Sequence, residues 1–372
     1  MAPIKTCVLG VGLAGLTFHT PFVLALPELF TLHAVLERNP KTPGGKLLDR
    51  FGVTTKIYNS IDQVVDDKEI ELVIVATPND THYTLAKTVL EAGKHVLVDK
   101  PVTETVEQAK ELDAIAKANG LILYGYQNRR WDSDYLALKQ LLALPPSSPQ
   151  SIGNLLEFES HFDRYRPGIK SSWKDSTGAL YDLGSHLLDQ ALKLFGRPAQ
   201  LTAFIQNIRG VTKPEVDDTF TIYLHYAAGT PFPNPFTVLL RSHTLSAKTR
   251  QLRYAIRGTK GMFTKYGLDV QEEQLRRIPS ANGIFDASFG QEPKEIYATV
   301  ENVSGDGVTI TQTIWPSEIA GQYIGLFKNL AGAIRDDEEL EVKWTETTQV
   351  IEMIELAYKS SAEGRTLEVP KL

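Results

Sequence analysis

The hexapeptide Gly10-Val11-Gly12-Leu13-Ala14-Gly15 directly follows an apolar run, Ile4 to Leu9. That run reads as a buried strand, and the residues after Gly15 read as a helix. In G-x-G-x-x-G the first glycine permits a tight turn. The second lets the backbone approach a pyrophosphate, and the third packs helix against strand. The opening helix adds free N–H groups and a positive dipole end. A strand, this turn and a helix in that order predict an α/β domain with a doubly wound parallel sheet that binds a dinucleotide. Gly10, Gly12, Leu13, Ala14 and Gly15 are its phosphate turn.

The next hundred residues keep that rhythm. Strands are expected at Phe30 to Leu36, Glu71 to Ala76, His95 to Val98 and Leu121 to Tyr124. Helices are expected after Thr77-Pro78-Asn79-Asp80 and over Thr105 to Ala118. Alternation of this kind predicts a parallel sheet. After Tyr126 the alternation stops. Strand-like segments cluster at Leu155 to Phe162, Ala199 to Ile208, Thr219 to Tyr226 and Phe236 to His243, with further candidates at Tyr254 to Arg257 and Val308 to Ile314. One helix, Leu180 to Phe195, interrupts them, and two more close the chain near 320–361. This half predicts an α+β domain with an open, mainly antiparallel sheet. The expected division is 1–125 for the Rossmann domain and 126–372 for substrate binding and oligomerisation.

A chain of 372 residues, 42% of them apolar, suffices for two such cores. The net charge of −6 argues against nucleic acid or an acidic membrane as partner. Cys7 is the single cysteine, so no internal disulfide can form. Its place in the first apolar run predicts a buried thiol. No stretch reaches the ~18 apolar residues of a membrane span, and the expected location is the cytoplasm.

Several residues invite chemistry. The second strand ends at Glu37-Arg38, about 20 residues beyond the glycine turn, where an acid grips the adenosine ribose of NAD. Glu37 tips the expectation towards NAD, whereas Arg38 keeps NADP open by offering a partner for a 2′-phosphate. Asp99-Lys100-Pro101 follows the strand His95 to Val98, and ligands of open parallel sheets bind beyond the carboxyl ends of strands. Lys100 can there hold a substrate hydroxyl and stabilise its alkoxide. On the later helix, Asp182, His186 and Asp189 share a face at i, i+4 and i+7. His186 suits proton transfer near neutral pH, and Asp182 can orient it. No cysteine cluster or H-E-x-x-H motif points to a metal.

These elements resemble the Gfo/Idh/MocA family, named for glucose–fructose oxidoreductase, inositol dehydrogenase and a rhizopine-catabolism protein. The resemblance covers nearly the whole chain. Its marks are the glycine turn, an E-K-P segment and a D-x-x-x-H helix. Asp99 stands where the family has glutamate. Thr77 to His82, Asn128 to Asp134 and Glu159 to Arg164 look closest to the branch of NADP-type scyllo-inositol dehydrogenases. In that branch the second strand often ends in a small residue and arginine, and Glu37 departs from this.

The resemblance implies an NAD- or NADP-dependent oxidoreductase that moves a hydride to or from a sugar, inositol or polyol carbon. Lys100 and His186 would bracket the carbinol, with Asp182 supporting His186. Thr77, Pro78, Asn79 and His82 would border the ribose and nicotinamide, beside Asp99. Asn128, Arg129, Trp131, His161, Arg164 and Trp173 are expected to wall the substrate pocket. A homodimer or homotetramer is expected, paired through the open face of the second sheet. Two other readings share the fold: a sugar-sensing transcriptional regulator without turnover, and a glycosidase that uses held NAD.

Overall fold

Continuous apolar runs of four to six residues demand burial on both sides, and the first sheet meets that demand. In a computed structural model that describes residues 2–168, 177–229 and 231–371, six strands lie at β1 (Ile4–Leu9), β2 (Phe30–Leu36), β3 (Lys56–Tyr58), β4 (Leu72–Val75), β5 (His95–Val98) and β6 (Leu123–Gly125). Their order is β3-β2-β1-β4-β5-β6, and every pair is parallel. All four residues of β4 are fully buried, each apolar side chain contributing about 1.5–3 kcal/mol. Cys7 on β1 is buried as expected, and burial pushes its thiol far above the ordinary range. Helices α1 (Thr20–Ala25), α2 (Gly45–Phe51), α3 (Ile61–Asp66), α4 (His82–Glu91) and α5 (Val106–Ala118) connect these strands. A reciprocal capping box opens α5: Gln108 N–H donates to Thr105 Oγ1, and Thr105 N–H donates to Gln108 Oε1.

This unit runs to Trp131 and also takes in Val270–Gly290 and Gln322–Gln349. The sequence reading assigned those two segments to the second domain. They hold α8 (Gln271–Arg277), α9 (Ile324–Arg335) and the start of α10 (Trp344–Glu363). The reason is aromatic packing. Phe327 of α9 stacks on Phe22 at 4.8 Å and meets Phe30 edge-on at 6.4 Å. Leu275, Ile278, Leu326 and Leu330 fill the same core. An amphipathic stripe announces a buried helix face; it does not say which core receives it.

The second unit comprises Asp132–Asp269, Gln291–Gly321 and Val350–Leu372. Its sheet has nine strands: β7 (Leu155–His161), β8 (Gln200–Gln206), β9 (Thr219–Tyr226), β10 (Phe236–His243), β11 (Leu252–Gly258), β12 (Gly261–Tyr266), β13 (Ala298–Val303), β14 (Ile310–Trp315) and β15 (Leu367–Glu368). The order is β14-β13-β12-β11-β7-β10-β9-β8-β15, with β7 and β10 the parallel pair among antiparallel neighbours. α6 (Ser133–Leu142) and α7 (Ser185–Phe195) also belong to this unit. Phe195 of α7 packs edge-on against Phe158 at 5.0 Å and Phe236 at 5.3 Å. Neighbours in register point to one side of a sheet. On the side opposite Phe158, one row runs Thr202, Tyr223, Leu239, Glu159, Ala255, Thr264, Thr299 and Ile314. No helix among the described residues is long and apolar enough to cross a membrane.

Candidate active site

The glycine turn is built by close approach. Gly10 has φ +92°, and a Cβ there would come within 2.7 Å of the Ala76 carbonyl oxygen. A Cβ on Gly15 would lie 1.9 Å from the Gly10 carbonyl oxygen, so the helix can start this close to the strand only with glycine. At Gly12 a Cβ would meet nothing within 4 Å and would stand in an open pocket of about 990 Å³. Gly10, Gly12, Leu13, Ala14, Glu37, Arg38, Thr77 and Pro78 all line this pocket. The cradle of bare backbone and the volume fit a dinucleotide. Gly15 stands behind the turn, and Asn79, His82, Asp99 and Lys100 are not on the pocket wall. A π-helical turn, Gly15–His19, follows the motif before α1, closed by the Thr20 N–H donating to the Gly15 carbonyl.

At the other end of the pocket Glu37 is turned inward. It is 6% exposed, and its Oε2 accepts the Lys46 N–H at 3.0 Å. The carboxylate thus caps α2. Arg38 and Lys46 are exposed on the same wall. Lys46 escaped the sequence reading because it lies outside the strand-end motif that marks the ribose site.

Asp99 resolves its shorter reach locally. Its Oδ1 accepts the Lys100 N–H at 2.8 Å. Its Oδ2 lies 3.4 Å from Nε2 of His19, which is fully buried and tilts over the Tyr126 ring at 4.3 Å. Burial pushes the Asp99 carboxyl up; His19, Lys100 and His82 outweigh it and hold the group below the usual carboxylate range. His82 faces Pro101 O with Nδ1 at 2.7 Å and Thr77 O with Nε2 at 2.8 Å. Lys100 itself is half-buried. His19, the fourth residue after Gly15, was missed; only its spacing from the glycine motif could have signalled it.

In the second unit Asp217 fixes the start of the segment that carries His186. Its Oδ2 accepts the Leu180 N–H at 2.8 Å and its main-chain oxygen accepts the Ala179 N–H at 2.9 Å. The Tyr358 hydroxyl donates to its Oδ1. The expected single helix is a π-helical turn, Leu180–Gly184, closed by Ser185 N–H to the Leu180 carbonyl, followed by α7. Asp182 therefore lies in the π-turn and His186 in the first turn of α7, so the ideal α spacing between them does not hold. Asp182 is half-buried, and His186 and Asp189 are buried. The first π-turn carries His19 just after the glycine motif, and the second carries Asp182 just before His186, placements common at functional sites.

The expected substrate-pocket residues fall in both units. Asn128 is buried in the first unit. Arg129 donates to Glu272 Oε2 at 2.9 Å, and the Trp131 carbonyl accepts the Gln322 N–H. These contacts tie the segment to α8 and to the residues before α9. His161 meets Glu159 Oε2 at 2.9 Å and alternates with Ser160, whose hydroxyl faces Arg253 and through it Gln190 of α7. His161 thus points to the sheet face opposite α7. The Arg164 guanidinium lies over the Phe162 ring at 4.8 Å. Trp173 lies outside the described residues. His33, Asp67 and Glu69 cluster within 4.8 Å, but Tyr58 and Lys56 donate to Asp67, and Lys5 donates to Glu69.

Residues 4–126 match the model of an oxidoreductase family, NAD-binding Rossmann fold, and residues 149–369 match the C-terminal alpha/beta domain of the same family. The uncharacterized oxidoreductase C115.03 of Schizosaccharomyces pombe is 38% identical over 99% of this chain and all of its own length. The scyllo-inositol 2-dehydrogenase (NADP(+)) IolW of Bacillus subtilis is 34% identical over 98% of this chain and 95% of its own. The solved structure of the Bacillus subtilis oxidoreductase yvaA superposes with a TM-score of 0.85 at 32% identity, covering 99% of both chains.

Proposed function

The chain belongs to the Gfo/Idh/MocA oxidoreductase family, and from that membership we propose that it is an NADP-linked dehydrogenase or reductase of a sugar, inositol or related polyol. The observation that carries the cofactor choice is the wall beyond β2. Glu37, the residue that would grip an unphosphorylated ribose, gives one carboxylate oxygen, Oε2, to the Lys46 amide. Arg38 and Lys46, both exposed, line the same wall and add two cations suited to a 2′-phosphate. The relative IolW is named for NADP(+) and scyllo-inositol, which supports both halves of the reading.

When bound, the nicotinamide ring accepts or supplies the hydride at the carbinol carbon. The chain's own residues do the rest. The Gly10–Gly15 backbone orients the pyrophosphate. The Lys100 ammonium holds the substrate oxygen and stabilises the charge that develops there. His186 takes the hydroxyl proton in oxidation and returns it in reduction, with Asp182 as its support. The reading further pairs two copies of the chain through the open face of the second sheet, where Phe204 is 58% exposed and Ile310 and Ile314 are each 67% exposed.

The decisive experiment incubates the protein with a polyol panel and either cofactor while following absorbance of the reduced nicotinamide. Net reduction, favoured with NADP(+), is expected. Lys100→Ala should lose turnover and retain NADP(+) affinity. Product release without net reduction would instead make the protein a glycosidase, and cofactor binding with no turnover would make it a sensor.

A further inference from the structure

A neutral imidazole has one N–H donor and one lone pair, and only the protonated ring donates from both nitrogens. His82, the first residue of α4, is 1% exposed. Both of its nitrogens face main-chain carbonyl oxygens, Pro101 at 2.7 Å and Thr77 at 2.8 Å. A carbonyl oxygen only accepts. A neutral ring would therefore set a nitrogen lone pair against an oxygen lone pair at one of the two contacts, out of reach of water. A counter-charge is close by. Asp99 is buried, and His82 is among the groups that favour its ionised form, with His19 and Lys100. His19 approaches Asp99 Oδ2 from the turn after the glycine motif.

The two carbonyls matter as much as the ring. Thr77 lies on the cofactor-pocket wall just past β4. Pro101 directly follows Lys100 past β5. One side chain thus joins the backbone of the cofactor wall to the backbone beside the candidate catalytic amine.

We propose that His82 is a double N–H donor that bridges the ends of β4 and β5, with the Asp99 carboxylate as its counter-ion, and that it is a positioning residue for Lys100. The positioning part rests on the role given to Lys100 above; the double donation does not.

The test uses the full chain labelled with ¹⁵N-histidine, its His82 ring signals identified as those that the His82→Gln protein lacks. Both ring nitrogens should carry protons in a spectrum recorded at about pH 7, as two carbonyl partners require. A single-proton tautomer pattern for His82 at that pH overturns the bridge. The protons are counted on the unaltered protein, so the bridge is judged apart from any variant's activity. His82→Gln, which cannot donate on both sides, should lower kcat on the order of 10²-fold while NADP(+) affinity stays within about twofold. An unchanged kcat, or a loss explained by cofactor affinity alone, overturns the positioning role. Lys100→Ala, run in parallel, separates the two claims: turnover retained there overturns the role of Lys100 and the positioning with it, and leaves the bridge to the spectrum.

Discussion

Glu292 lies against Lys265, Nζ to Oε1 3.2 Å, and accepts the Ser317 hydroxyl at 2.7 Å. Burial lifts its carboxyl, the Asp134 charge adds to the lift, and Lys265 and Ser317 draw it back, leaving it pushed up to about 7 from an ordinary 4.5. A carboxyl raised on folding favours the folded state below its unfolded value, and that contribution is lost as pH rises through the folded value. The stability of the native chain minus that of Glu292→Gln should therefore fall as pH rises from about 4.5 to about 7. Chemical denaturation across that range measures it, and a flat difference would sink the claim. Residues like this one were not legible beforehand. Lys100 and the glycines stood out because a motif fixes their place along the chain. His19, Lys46, Asp217 and Glu292 gain their roles from neighbours 9 to 80 or more positions away, which no local pattern encodes.

Among elements, apolar runs and capping signals carried over well. β4, α4 and α5 lie close to where their patterns put them, because continuous burial and amphipathic spacing leave one geometry. β3, β12 and β13 were not foreseen. β3 spans an exposed lysine and two half-buried residues; β12 carries the buried cation Lys265 where an apolar residue would be expected; β13 interleaves Thr299 and Glu301 with its apolar positions. The π-turns left no signature either, since one wider turn scarcely disturbs an apolar stripe. Two substitutions separate pocket from scaffold. Gly15→Ala should weaken NADP(+) binding about 10²-fold or more and lower the melting temperature, because the new methyl cannot coexist with the Gly10 carbonyl at 1.9 Å. Thr105→Ala removes half of a capping box and should cost about 1 kcal/mol with cofactor affinity unchanged, since α5 does not line the pocket. Cofactor titration and thermal melts on both variants decide; a Gly15→Ala protein that binds normally would refute the turn's role.

At the scale of the whole molecule, the class of each half was legible because alternation and clustering of strands are global patterns. The path of the chain between the halves was not. Pairing through the open sheet face belongs at this scale too. Ile314→Glu should convert a species of twice 41.3 kDa into one of 41.3 kDa by sedimentation, with the melting transition of the single chain little changed. A native protein that already sediments as one chain would dismiss the pairing.

The aromatic stack of Phe327 on Phe22 has a consequence for biosynthesis. Phe22 leaves the ribosome some 300 residues before the ring that completes its packing. The nascent nucleotide-binding unit must therefore wait, with an apolar patch uncovered, until α9 has been made. Its N-terminal portion starts first and is sealed late, and a polypeptide released before Ile324–Arg335 should be a client for chaperones.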